Sequence, residues 1–251
     1  MNWILCPLRN GLHLTRKALP TFLAQDIGDV RVWFIDNGST DGTREWLWSL
    51  TDPRVEVTIF SSPKSVAATW NYGLSHLFGN GAEYACVINN DVEFRPDTLR
   101  HLVADGGPFV TATGVRERDK ILPPHTAPDP AHKRPHPDFS AYLIRKSCYE
   151  VVGPFDEGYD VAFYEDNDYH LRMHRAGIMA VSLELPFYHV GSATVKNADE
   201  KERERITSAA GRNKERFYQK WGVYSGTKEY YDLFGSTAPE AAVEPQTSVE
   251  R

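Results

Sequence analysis

Five short apolar runs alternate with stretches of helical spacing through the first 115 residues, and this alternation constrains the fold more than any other feature of the chain. The runs are Trp3–Pro7, Arg31–Asp36, Arg54–Phe60, Tyr84–Asn89 and Pro108–Thr113. Between them Leu19, Phe22 and Leu23 keep helical spacing, with Pro20 expected to kink or restart that helix. Thr43–Leu50 follows the turn-rich Asn37–Gly42. Lys64–Leu77 sets Val66, Trp70, Leu74 and Leu77 on one face, with Ser62 as the expected N-cap and Pro63 at the first helical position. Strand and helix in strict alternation predict an α/β domain, a doubly wound, mostly parallel sheet flanked by helices. Such sheets bind ligands at the carboxyl ends of their strands. Asp36 and Asn89–Asp91 stand at two of those ends.

The second half is less regular. Ile121–Pro137 holds six prolines and three histidines and reads as a long loop. Phe139–Arg145, Ala180–Leu185 and Phe187–Val190 read as strands, Glu165–Gly177 and Asp199–Trp221 as helices. Ser236–Arg251 has the composition of a disordered tail. The expectation is one domain over 1–222, in two halves (1–115 and 116–222), followed by an appendage and tail over 223–251. The aromatic stretch Tyr224–Phe234 is expected to pack on the domain or on a partner.

Composition excludes some classes. With 34 acidic and 28 basic residues the net charge is −6, against nucleic-acid binding. Cys6, Cys86 and Cys148 form no CxxC pair, so they read as small buried hydrophobes. No apolar run approaches the ~18 residues of a membrane span, and no leader pattern opens the chain. A cytoplasmic protein without an integral membrane segment is expected. The whole charge excess sits in Asp156–Asp168, which has six acids and no Lys or Arg; the rest balances at 28 of each sign. A cation near that stretch, and a carboxylate with a raised pKa within it, are expected.

Four constellations can carry chemistry. In Asp36–Gly42 a strand-end carboxylate either caps a tight turn or accepts a hydrogen bond from a base. In Ile88–Phe94, Asn89, Asp91 and Glu93 alternate as oxygen donors leaving a strand, which suits Mg²⁺ or Mn²⁺ beside a diphosphate, or merely ends the strand. In Tyr164–Tyr169 acids open a helix, where the helix dipole favours them. Asp168 can pair with Arg172, which leaves Asp166 for general-base work. In Phe187–Thr194, His189 is a metal or phosphate contact or a structural histidine, and Ser192 and Thr194 are phosphate donors.

Taken in order, Pro7, Phe34–Thr43 (FIDNGSTDGT), Ala68–Leu74, Ile88–Phe94, Gly153–Tyr159, Phe163–Gly177, Tyr188–Thr194 and Lys220–Gly222 resemble family-2 glycosyltransferases of the GT-A fold. The resemblance spans roughly 3–222. It implies an inverting enzyme that moves a sugar from a nucleotide-diphosphate donor, UDP first and dTDP second, to an acceptor hydroxyl. It also implies roles. Pro7, Asp36, Asn71, Asn89 and Asn90 would line the nucleotide and sugar site. Asp91, with His189 and Glu93, would hold Mn²⁺ or Mg²⁺. Asp166 would be the general base and Glu165 its neighbour. The acceptor would be a glycan, a lipid-linked glycan, a small molecule or a protein side chain. The sequence departs from the family at Ser62–Ser65 and at Trp70. His125, His132, Lys133, Arg134 and His136 would reach acceptor or phosphate. Two alternatives stand: a non-catalytic nucleotide-sugar-binding domain, and a sugar-phosphate nucleotidylyltransferase. The second would carry a Gly-rich loop where Pro7–Leu12 has a single glycine.

Overall fold

The computed structural model describes residues 1–123, 126, 137–191 and 198–234. Eight strands form one sheet: β1 (Asn2–Leu8), β2 (Val30–Asp36), β3 (Val55–Ile59), β4 (Tyr84–Ile88), β5 (Val92–Glu93), β6 (Phe109–Val115), β7 (Ala141–Arg145) and β8 (Ala180–His189). The helices are α1 (Leu12–Leu23), α2 (Thr43–Trp48), α3 (Val66–Gly79), α4 (Thr98–Asp105), α5 (Lys146–Val152), α6 (Glu165–Arg175), α7 (Glu200–Trp221) and α8 (Lys228–Asp232).

The strand order is β3-β2-β1-β4-β7-β6-β8-β5. The first four strands are parallel, as the alternation predicts. The sheet then turns mixed: β7 runs antiparallel to both β4 and β6, β8 is parallel to β6, and β5 is antiparallel to β8. Ala180–Leu185 and Phe187–Val190, read from sequence as two strands, merge into the single strand β8, which ends at His189, with an irregularity between Thr111 and Thr113 of β6.

The strands alternate their side chains between two buried faces. Ile4, Cys6 and Phe34 face α1, α2 and α4, packing with Leu19, Phe22, Leu47, Leu99 and Leu102. Leu5, Trp33, Ile35 and Val87 face α3, α5 and α6, packing with Trp70, Leu74, Cys148, Tyr169 and Met173. Burial on both faces explains why these strands read as continuous apolar runs. All three cysteines lie in this core. At Gly73 α3 presses on β1 and β2 so closely that an added Cβ would meet Leu5 Cδ2 at 2.5 Å and Ile35 Cδ1 at 3.1 Å. Gly73→Ala is expected to destabilise by ~1–3 kcal/mol through overpacking. Thermal unfolding checks it, at roughly 2–4 °C of Tm per kcal/mol for a chain of this size.

Two helix starts differ from expectation. Helix α1 runs unbroken through Pro20, whose ring and the deprived Arg16 both face solvent. Helix α3 begins one turn late, capped by Ser65, whose hydroxyl accepts from Ala68 N. Lys64 is held out of the helix by Asn37: Asn37 Nδ2 donates to Lys64 O (3.0 Å) and Lys64 N to Asn37 Oδ1 (2.8 Å).

A third cluster, Tyr159, Leu171, Phe217 and Tyr230, joins α6, α7 and α8. Phe234 stacks on His170 at 4.2 Å, so the aromatic stretch after residue 222 packs on the domain. The expected tail over 236–251 lies outside the described residues. Among the described residues no helix is long and apolar enough to cross a membrane.

Candidate active site

The carboxyl ends of β1, β2 and β4 lie side by side, because Leu8 pairs with Asp36 and β4 runs parallel to β1. The antiparallel β7 begins at the same edge, with Ala141 opposite Ile88. Strand β8 ends there too, with His189 opposite Val92. Register therefore gathers the expected site residues from distant stretches of chain.

On the β1–β2 side the loops are clamped together. Asp36 is fully buried; its carboxylate accepts from Ser39 N (3.1 Å) and lies 3.5 Å from Arg44 Nε. Asn10 N donates to Ser39 Oγ (2.7 Å), and Asn10 Oδ1 accepts from Thr40 N (2.8 Å). Asn90 secures the same loop, donating to Asn10 O (3.0 Å) and Thr15 Oγ1 (2.9 Å). Pro7 is partly exposed, one residue from the end of β1. Asn89 is partly exposed at the end of β4, its N–H donating to Ser140 O.

Asp91 and His189 meet. His189 Nε2 lies 3.3 Å from Asp91 Oδ1, while Asp91 Oδ2 accepts from Gly191 N at 3.0 Å. The backbone supports the pair: Val190 N donates to Asp91 O. A buried carboxylate beside an imidazole is a donor set that Mn²⁺ or Mg²⁺ accepts when substrate phosphates fill the other positions. Among the described residues no cluster of three His, Cys, Asp or Glu converges. Glu93 is instead engaged by Arg118 in a bidentate ion pair, and Arg118 also lies 4.0 Å over the Tyr188 ring. Asn71 stands apart as well. Its amide ties α3 to the loop after α5, donating to Phe155 O and Glu157 (2.9 Å each) and accepting from Phe155 N (2.8 Å).

Three of the six acids of the acidic stretch are ion-paired, chiefly to α7. Asp156 pairs with Arg216 and Lys220, Asp160 with Arg212, and Asp168 with Lys220 and Arg172. The cations the sequence leads one to expect near this stretch thus include the chain's own. Glu165 and Asp166 have no such partner among the described residues. Burial pushes the Glu165 carboxyl well above its ordinary range, and Asp166 adds to this. Its Oε2 is buried without a hydrogen-bond partner. Burial also raises Asp166, with Asp138 adding and the Asn167 N–H (2.7 Å) opposing. A carboxyl raised on folding binds a proton that the unfolded chain has released. Stability is therefore expected to fall as pH climbs above the ordinary glutamate range, near ~4.3. Glu165→Gln is expected to flatten that decline, measured as Tm against pH from 4 to 8.

Sequence reasoning missed Asp138. Its carboxylate accepts from Gly114 N (3.1 Å) and Ser140 N (2.9 Å). A Cβ on Gly114 would lie 2.7 Å from Asp138 Oδ2 and 3.4 Å from His189 Nδ1. Asp138 and His189 thus flank Gly114, and the charge of Asp138 reaches Asp166. Its only signal in the sequence is an acid just before a strand. The turn into α6 was also unsignalled: Val161, Phe163 and Tyr164 have φ of 58°, 78° and 74°. Left-handed backbone at non-glycine residues costs roughly 1–3 kcal/mol each and gathers at functional sites. His125, His132, Lys133, Arg134, His136, Ser192 and Thr194 lie outside the described residues.

The family described as Glycosyl transferase family 2 matches residues 3–117. No curated protein sequence matches the chain. Among solved structures, a mannosyltransferase, PcManGT of Pyrobaculum calidifontis in complex with GDP-Man and Mn²⁺, aligns at TM-score 0.60 and 17% identity, over 92% of this chain and 67% of that one. TarS 1–349 of S. aureus aligns at 0.56 and 14%, over 96% and 82%. GalNAc-T7 with UDP, GalNAc and Mn²⁺ aligns at 0.64 and 9%, over 95% of this chain and about half (55%) of that one. Identities this low speak to fold alone, and the fold they share is the one the strand order builds. Residues 3–117 thus match the family-2 glycosyltransferases, and the chain as a whole has the GT-A fold.

Proposed function

We propose that the chain is an inverting transferase, moving a sugar from a nucleotide-diphosphate donor to an acceptor hydroxyl, with Asp166 as general base. One observation carries the reading: Glu165 and Asp166, an acid pair with no ion pair among the described residues, open α6, while Asp91 and His189 pair where β8 ends. The first 115 residues would hold the donor, with Asp36 toward the base and Pro7, Asn89 and the Asn10 loop held by Asn90 around it. Residues 116–222 would present the acceptor: a glycan, a lipid-linked glycan, a small molecule or a protein side chain.

Asp91 and His189 would hold Mn²⁺ or Mg²⁺, which supplies positive charge against the departing diphosphate. Glu93, engaged by Arg118, would serve that site from outside. Asp166 takes the proton of the acceptor hydroxyl as its oxygen bonds to the anomeric carbon. The bond from that carbon to the diphosphate breaks on the opposite face, so one displacement inverts the centre. A raised pKa brings Asp166 closer to neutrality, where a general base is most effective. Glu165 stands beside it, its carboxyl raised by burial and by Asp166.

The neighbours' ligands, GDP-Man in one case and UDP in others, widen the donor test beyond UDP and dTDP. Thermal shift with UDP, dTDP and GDP, each with and without Mn²⁺, tests the reading. One of them at about 100 times its Kd is expected to stabilise by ~2.7 kcal/mol. No shift with any nucleotide diphosphate would count against it.

A further inference from the structure

We infer that Asn213 of α7 is a positioning residue that holds the Glu165–Asp166 turn in its working conformation, an inference that rests on the glycosyltransfer reading above. Its side chain is 2% exposed. The Nδ2 group donates toward three backbone carbonyls: Asp160 (2.8 Å), Ala162 (2.9 Å) and Phe163 (3.2 Å). Asn213 Oδ1 accepts from Asp160 N at 3.0 Å. One amide therefore grips both ends of the stretch that leads into α6.

That stretch needs an outside hold. Val161, Phe163 and Tyr164 all sit in left-handed backbone, and none is a glycine. Such conformations persist only where the surroundings over-determine them. Helix α6 offers no help of its own, since its N-cap Tyr164 makes no side-chain capping bond. A further tie runs from Val66 N to Val161 O at 2.8 Å. Glu165 and Asp166 are the first two residues after the turn, so their placement follows its conformation. Asp36 and Asp91 hang on other elements, β2 and the β4–β5 turn, which Asn213 does not touch.

Loss of the Asn213 amide leaves three carbonyls and one N–H without their partner and lets the turn relax. Acids then shift while the donor side stays in place. The experiment compares the parental chain with Asn213→Ala and with Asn213→Ser, whose hydroxyl can serve one carbonyl. Amide hydrogen exchange over 160–168 is expected to speed up by about tenfold or more in Asn213→Ala, with β1, β2 and β4 unchanged. Turnover is measured with Mn²⁺ and a panel of UDP-, dTDP- and GDP-sugars, following release of the nucleotide diphosphate. For the sugar that the parental chain uses, kcat is expected to fall by ~10²-fold with donor KM held, because a misplacement near 1 Å costs that much. Asn213→Ser should fall between, and it decides the matter if Asn213→Ala does not fold. Parental exchange over 160–168, or a loss confined to KM, would overturn the inference. If the parental chain uses no sugar in the panel, the proposed function fails instead, and exchange over 160–168 alone upholds or overturns the hold by Asn213.

Discussion

Asp166→Asn is expected to bind nucleotide diphosphate as the parental chain does and to lose sugar transfer by about 10²–10⁴-fold, the usual worth of a positioned general base. The amide matches the carboxylate in shape but cannot take the acceptor's proton. It also removes a charge that bears on Glu165, since Asp166 raises the carboxyl beside it. The variant should therefore unfold no lower than the parental chain above pH 6. A loss of turnover with stability kept separates a chemical role from a structural one. Transfer at the parental rate would refute the assignment of the base.

The second large effect concerns Asp91. Asp91→Asn is expected to abolish the extra stabilisation that Mn²⁺ gives to a bound nucleotide diphosphate. Turnover should fall by roughly 10²–10³-fold, the equivalent of several kcal/mol of charge stabilisation. The amide can still accept from Gly191 N, so the β5–β8 corner should keep its shape. His189→Ala should act in the same direction and more weakly, as the imidazole is the more exposed partner. In the parental chain EDTA should stop turnover. Full activity in EDTA would remove the metal from Asp91 altogether.

Some of the site was legible because local chemistry marks it. Asp36 and Asp91 each follow an apolar run, and a carboxylate ending a buried strand stands out against the core before it. Glu165 and Asp166 open a helix, and Asp168 has Arg172 four residues on, as its 2.9 Å pair bears out. The rest depended on residues far along the chain. Asn71 and Asn90 look like ligands in a motif, yet each uses its amide to tie loops together. Glu93 follows Asp91 at a ligand's spacing, but Arg118, 25 residues away, engages it. Of the six acids in Asp156–Asp168, three are paired by Arg212, Arg216 and Lys220 of α7.

Alternation of apolar runs and helical spacing by itself determined the parallel half of the sheet, its two buried faces and the edge where Asp36 and Asp91 stand. These follow from local periodicity, which each segment carries within itself. Only the tertiary structure decided that β7 enters antiparallel between β4 and β6, bringing Asp138 to that edge, and that β8 returns to set His189 against Asp91. It alone decided, too, which acids are neutralised and which stay raised. Pairing across a sheet and burial in a core depend on which distant segments meet, and spacing along one chain does not encode the partner.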